Sequence, residues 1–168
     1  SRNKTSETGR AIPVRVSGVQ RGWNIVVPKQ SQTGVGVIYD TQSTCNGVIV
    51  PVTESELAKF DDRELQHGYR RRSIKRRDIE CIAGEQESVQ LPDGIVWIYL
   101  AKKPRCPSKK NPIAQSYLDV ILAGCFGLGD DIGEAFANEF VLTTYGWDKP
   151  WINDRAKPRY GGAMKNVP

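Results

Sequence analysis

Residues 53–69, TESELAKFDDRELQHGY, contain both the start of a helix and the start of a strand. Thr53 and Glu56 have the capping-box pattern, in which the hydroxyl and the carboxylate each satisfy a free backbone N–H at a helix N-terminus. Apolar residues at helical spacing follow, and a strand is predicted to begin near Tyr69. A helix-to-strand corner therefore lies in the middle of the chain.

Glu64 lies at this corner. A carboxylate between two elements can project into a cavity and act there as a general base or acid. The alternative is that residues 61–64 form a solvated helix end, because most charged side chains lie at the protein surface. From this segment alone, the solvated helix end is the preferred interpretation.

The N-terminal side of the corner is predicted to be rich in β-structure. Alternation of Ile12, Val14 and Val16 predicts a strand. Two further β-rich runs, residues 34–39 and 47–52, flank a polar segment that is predicted to be a turn at residues 40–46.

On the C-terminal side, residues 69–82 predict one or two strands. A Pro-Asp-Gly turn then precedes residues 95–100, a strand predicted to be buried on both faces. Asn111 and Pro112 are predicted to start a helix, and a second helix is predicted to begin at Asp130. Strands come first and helices late, which predicts one α+β domain over the whole chain, with a mostly antiparallel sheet or small barrel.

Composition excludes several classes of protein. Hydrophobic residues make up 39% and charged residues 26% of 168 residues, as in a globular domain. No apolar run approaches the ~20 residues that span a bilayer, and the first residues do not form a secretion signal. We therefore expect no membrane span and no secretion.

The cysteines and the single histidine, His67, predict no metal site and no disulfide scaffold. No two of the four cysteines have Cys-x-x-Cys spacing. Free thiols are the default, which favours a reducing compartment, the cytoplasm or an organelle interior. A catalytic Ser-His-Asp or Cys-His site would have to use His67.

Six basic residues lie between positions 70 and 77, here called the basic segment. Its members are Arg70, Arg71, Arg72, Lys75, Arg76 and Arg77. Such a cluster can bind nucleic acid or acidic lipid, but no aromatic residues interleave with it, as a single-strand stacking surface requires. Basic side chains also protect an edge strand from aggregation. We therefore predict an edge strand and no binding of nucleic acid.

A carboxylate and several tyrosines, on different predicted elements, could line one pocket. Taken singly, Tyr69, Tyr99 and Tyr117 are better interpreted as part-buried aromatic residues. Together with Glu64 and their surroundings, however, they resemble the γ-glutamylcyclotransferase-like family, in its bacterial type. The resemblance covers nearly the whole chain. Its segments are residues 14–24 (VRVSGVQRGWN), 45–52 (CNGVIVPV), 60–69 (FDDRELQHGY), 112–117 (PIAQSY) and 144–147 (TYGW).

The resemblance implies a small barrel-like α+β fold with a cavity for a γ-glutamyl group. It implies that Glu64 is the catalytic acid and base, and that Tyr69 and Tyr117 bind the substrate. The implied reaction converts a γ-glutamyl amine or peptide to 5-oxoproline and releases the amine. It requires no metal and no cofactor.

The sequence departs from the family at its start. The family opens with a strand and a Tyr-Gly-Ser-Leu-type loop whose backbone N–H groups hold the substrate, and residues 1–5 resemble the family segment on the C-terminal side of that loop. We expect either upstream residues in the native gene product, or a member without this loop and its strand. The alternative function is a non-catalytic binding or assembly subunit of a larger complex. Its partner would contact the basic segment or the extended tail predicted at residues 147–168.

Overall fold

A long antiparallel hairpin forms the centre of the fold. The structure, a computed structural model, describes residues 11–82 and 90–159. The hairpin consists of β1, Ile12–Val27, and β2, Gln32–Ile49. A 3-10 turn at Pro28–Gln30 joins them, and Ser31 takes the left-handed conformation that closes it. The predicted strand around Val14 is therefore the first part of a much longer one.

The polar segment at residues 40–46 was wrongly predicted to be a turn, because the chain bulges there and does not reverse. Ser17 pairs with Thr44 and Val19 with Tyr39, so residues 40–43 lie opposite Gly18 alone. Gly18 has a φ of 80°, a conformation that favours glycine. The Asp40 carboxylate accepts hydrogen bonds inside the bulge, from Gln42 N at 3.1 Å and from Ser43 Oγ at 2.6 Å.

Within residues 11–82 and 90–159, six shorter strands complete two sheets. In chain order they are β3 Tyr69–Ile74, β4 Ile79–Cys81, β5 Val96–Ala101, β6 Ile113–Ala114, β7 Thr144–Tyr145 and β8 Trp151–Ile152. The larger sheet has the order β4-β1-β2-β6-β8, with β7 also paired to β1, and β3 and β5 form a separate pair. β1 runs antiparallel to β2 and β4, whereas β6, β7 and β8 make parallel pairs. The α+β class and the mixed sheet are confirmed, but the described strands form no closed barrel.

Three α-helices are present in the described residues: α1 Glu54–Gln66, α2 Gln115–Phe126 and α3 Gly133–Leu142. The capping box of α1 is confirmed, since Glu56 N donates to Thr53 Oγ1 at 3.3 Å and Thr53 N donates to Glu56 Oε2 at 2.8 Å. No helix in these residues combines the length and the apolar character that crossing a bilayer requires.

The predicted start of α2 at Asn111 and Pro112 was wrong. Ile113 and Ala114 first pair with β2 and β8, and the helix begins only at Gln115. The cap comes from far along the chain: Ser116 donates to the Asp154 carboxylate through its backbone N at 2.8 Å and through Oγ at 2.6 Å.

β5 was predicted to be buried on both faces, and this too was wrong. Its C-terminal end is buried at Leu100 and Ala101, but Trp97 is 37% exposed and the preceding Ile95 is 68% exposed. Among the described strands β5 pairs only with β3, and its N-terminal half borders a cleft. β3, which contains three of the six residues of the basic segment, has the single-neighbour position expected of an edge strand.

The hydrophobic core has two parts. The valine cluster contains Val14, Val16, Val19, Cys45 and Leu100. The tryptophan cluster is centred on the fully buried Trp23 and contains Ile113, Leu118, Cys125, Phe136, Ala137 and Phe140. Trp147 and Trp151, from the predicted tail, pack edge-on against Trp23. The first part of the tail thus packs against the core, and residues 160–168 lie outside the described part of the chain.

Candidate active site

A cleft of about 880 Å³ lies between α1, the middle of β2 and the β3–β5 pair. α1 contributes Phe60, Arg63 and Glu64 to its lining, and β3 contributes Tyr69. β5 contributes Val96, Trp97 and Tyr99, and β2 contributes residues 35–37 and 48–49. The helix-to-strand corner predicted from the sequence, with Glu64 and Tyr69, therefore lines a cleft.

Glu64 lies in the last turn of α1, with its side chain 21% exposed. Two nitrogens of Arg63 contact the same carboxylate oxygen: Nε lies 2.8 Å and Nη2 2.7 Å from Oε1. The Arg63 guanidinium in turn lies 4.9 Å from the centroid of the Phe60 ring. The Arg63 guanidinium thus pairs with the Glu64 carboxylate in the wall of the cleft.

Tyr69 is the first residue of β3, and its hydroxyl donates to the carbonyl oxygen of Val35 at 2.8 Å. Burial raises the pKa of Tyr69, and the nearby Tyr117 and Glu64 raise it further. The hydroxyl therefore stays protonated at neutral pH. Because the hydroxyl proton is donated to the Val35 carbonyl, the tyrosine oxygen is left to act as an acceptor, and its lone pairs can accept a hydrogen bond from a ligand.

Tyr117 approaches the same region from the core side. It lies on α2, and its ring packs edge-on against Trp23 with centroids 5.9 Å apart. A Cβ added at Gly34 would lie 3.7 Å from Tyr117 Oη, and Tyr69 Oη donates to the carbonyl oxygen of the next residue, Val35. Tyr117 is nevertheless not among the residues that line the cleft, whereas Glu64 and Tyr69 are. Its role in substrate binding stays a prediction.

A second polar group links the elements that surround the cleft, and the sequence did not indicate it. The Asp61 carboxylate accepts from Tyr99 Oη at 2.8 Å and from Arg71 Nη1 at 2.6 Å. Burial, followed by the hydrogen bond to Asp61, raises the pKa of Tyr99 to about 12. The Arg71 guanidinium also lies 4.4 Å from the centroid of the Trp97 ring. Asp61 therefore joins α1 to both β3 and β5, and Arg71 fixes the Trp97 ring.

Residues that could have supported other chemistries lie elsewhere. His67 caps the C-terminal end of α1 and is exposed, outside the cleft lining. Cys45 and Cys125 are buried, and burial raises the pKa of both thiols. In residues 11–82 and 90–159, no group of three or more His, Cys, Asp or Glu side chains is placed to hold a metal ion.

A scan against protein-family models found no match, and a search of curated proteins found no similar sequence.

Proposed function

We propose that this protein is a γ-glutamylcyclotransferase-like enzyme, which cyclises a γ-glutamyl amine or peptide to 5-oxoproline and releases the amine. One observation carries the proposal: Glu64, the residue that the resemblance makes catalytic, lines a cleft together with Tyr69, the residue that it makes substrate-binding. Both were chosen from sequence, and they come from different elements.

The cleft has the groups that an α-ammonium substrate needs. The Glu64 carboxylate attracts the ammonium group, and the Tyr69 oxygen can accept one of its N–H bonds. Arg63 holds Glu64 by its Oε1 atom, which restricts the direction in which the carboxylate meets the substrate. Ring closure is intramolecular, so orientation of the nucleophile supplies much of the rate enhancement.

The proposed reaction starts when Glu64 takes a proton from the α-ammonium group. The free amine attacks the γ-carbonyl carbon, and a C–N bond forms as the carbonyl oxygen gains negative charge. Collapse of this intermediate breaks the bond to the leaving nitrogen as Glu64 returns the proton to it. Glu64 then takes the second proton from the new ring nitrogen and passes it to the released amine. Two protons leave the nucleophilic nitrogen and two end on the released amine, so no co-reactant is consumed. In the family, backbone N–H groups of the Tyr-Gly-Ser-Leu-type loop stabilise the oxyanion.

The test is turnover of a panel of γ-glutamyl amines and peptides by the full-length protein and by Glu64→Gln. Glutamine keeps the shape and still accepts from Arg63, but it cannot take the ammonium proton. We expect kcat to fall by roughly 10²–10⁴-fold, the usual contribution of a general base. Release of 5-oxoproline is measured by chromatography, and far-UV circular dichroism and thermal melts confirm that the variant is folded.

Asp62→Asn is the matched control, because Asp62 lies on the same helix but is exposed and outside the cleft lining. It should leave turnover unchanged. Equal turnover by wild type and Glu64→Gln would remove Glu64 from the mechanism. Absence of turnover by the full-length wild type on every compound would favour the alternative, a non-catalytic binding or assembly subunit.

A further inference from the structure

The end of the cleft away from Glu64 is lined by apolar side chains that remain open to solvent. Val48 is 48%, Ile95 68% and Trp97 37% exposed, and all three line the cleft. Leu57 and Pro92 lie on the same lining. Exposure of several large apolar groups in one concave surface is typical of a ligand site.

The two ends of the cleft are separated by a distance that can be read from the strand register. Tyr69 pairs with Ala101, and Ser73 pairs with Trp97, four residues further along the β3–β5 ladder. At ~3.3 Å per residue, Trp97 lies about 13 Å along the ladder from the Tyr69 end. The contact of Asp61 with Tyr99 shows that α1 runs alongside this ladder.

A γ-glutamyl group fills only part of that length. In the conformation that can cyclise, its α-nitrogen lies only about 3 Å from its γ-carbonyl carbon. If that group lies against Glu64 and Tyr69, the bond to the leaving nitrogen points along the cleft. The amine portion then extends toward Trp97.

The charges of the lining select against a carboxylate in the amine portion. Glu54 and Asp93 are the charged residues that the cleft lining adds to the Arg63–Glu64 pair, and both are exposed. Arg63 is engaged by Glu64, and Arg71, beside Trp97, is engaged by Asp61 at 2.6 Å. One further cation lies near this end, Arg76, whose guanidinium donates to the carbonyl oxygens of Leu91, Pro92 and Gly94 at 2.9, 2.7 and 3.4 Å. The two carboxylates of Glu54 and Asp93 outnumber it, so the local balance of charge disfavours a second carboxylate on the substrate.

We propose that the amine portion of the substrate is an uncharged apolar group of arylalkyl size, which packs against Trp97. This inference rests on the proposed function. Arg71 is a positioning residue for the Trp97 side chain. Its guanidinium lies over the Trp97 ring, 4.4 Å from the ring centroid, and its Nη1 donates to Asp61.

The test compares three substrates that share the reacting groups: γ-glutamyl phenethylamide, γ-glutamylphenylalanine and γ-glutamyl ethylamide. With the full-length protein, we expect kcat/KM for the phenethylamide to exceed that for the ethylamide by about 10–100-fold, the effect of burying a phenyl ring. γ-Glutamylphenylalanine, which adds only a carboxylate, should be the poorer of the two aromatic substrates.

Substitutions of Trp97 test whether this side chain causes the preference for the aromatic substrate. Trp97→Ala should lower the ratio of kcat/KM for the phenethylamide to that for the ethylamide by about tenfold, and Trp97→Phe should retain most of that ratio. Leu142→Ala is the control, because Leu142 is 85% exposed and lies outside the cleft; the ratio should not change. Thermal melts establish that each variant is folded.

The outcomes separate this inference from the proposed function. Turnover of all three substrates with equal kcat/KM would overturn the inference and leave the proposed function standing. Absence of any turnover would overturn the proposed function. Binding of N-phenethylacetamide, a neutral amide, measured by isothermal titration calorimetry, then decides the inference: saturable binding that Trp97→Ala weakens supports an arylalkyl site, and no binding overturns it.

Discussion

Replacement of Asp154 should loosen α2 and thereby displace Tyr117. The Asp154 side chain is buried, and it accepts three hydrogen bonds: two from Ser116 and one from Arg159 N at 2.7 Å. The Ala114 position of α2 provides no side-chain cap of its own. Asp154→Ala therefore leaves the Ser116 N–H and Oγ without their partner, one residue before Tyr117.

The magnitude follows from these contacts. Loss of an N-cap costs about 0.5–2 kcal/mol, and hydrogen bonds to a charged group contribute about 1.5–3 kcal/mol. The three bonds share one carboxylate, so their contributions do not add fully. We expect the free energy of unfolding to fall by about 2–4 kcal/mol. At roughly 2–4 °C per kcal/mol for a chain of this length, Tm should fall by about 4–16 °C.

The effect should depend on pH. Burial acts to raise the pKa of Asp154, but hydrogen bonds from Ser116 and Arg159 outweigh it and lower the pKa. The stabilisation is thus complete above the unfolded-state value of about 3.9 and is lost as pH falls through the lower folded-state value. The difference between wild type and Asp154→Ala should be constant from pH 7 to about pH 5 and shrink below about pH 3.9.

Urea unfolding followed by far-UV circular dichroism, at a series of pH values, measures this difference. Asp154→Asn is the matched control, since its amide oxygen still accepts from the Ser116 N–H while its NH₂ group opposes the Arg159 N–H. We expect it to lose about half as much stability as the alanine variant. Equal urea midpoints for wild type and Asp154→Ala at pH 7 would refute the argument, as would a difference that persists unchanged at pH 3.

Two further results are expected. Gly36→Ala should destabilise the protein by about 1–3 kcal/mol in urea unfolding, because an added Cβ would lie 2.2 Å from Asn24 Oδ1. Gly47→Ala is the control and should not destabilise it, because a Cβ there would meet no neighbouring atom within 4 Å. Equal losses of stability in the two variants would contradict this reasoning. The basic segment should not bind nucleic acid, and tight, salt-sensitive binding to DNA or RNA, lost when Arg71 and Arg76 are neutralised, would overturn that prediction.

Structure governed by neighbouring residues was predictable from the sequence. The capping box at Thr53, the strand from Tyr69 and the Pro-Asp-Gly turn, in which Gly94 has a φ of 116°, all follow from short-range rules. The position of Glu64 at the helix-to-strand corner was predicted from the same short-range signals. These features are encoded by a few adjacent side chains, so no knowledge of the tertiary contacts is needed.

Structure governed by distant residues was not predictable. The polar residues 40–43 have turn chemistry, yet the long ladder with β1 keeps the chain straight, and the turn becomes a bulge. α2 begins late because Ile113 is taken up by β2, and its cap is Asp154, 38 residues beyond Ser116. The same limit applies to the cleft: the contacts of Asp61 with Tyr99 and Arg71 cross between elements, and no spacing in the sequence signals them.

β1 makes the two parts of the core depend on each other. Val14, Val16 and Val19 belong to the valine cluster, and Trp23, four residues later on the same strand, is the centre of the tryptophan cluster. Loss of either cluster removes packing from part of the strand on which the other cluster is built. Unfolding should accordingly be cooperative, with one transition in which tryptophan fluorescence and far-UV circular dichroism change together, and two separate transitions would show that the clusters are independent folding units.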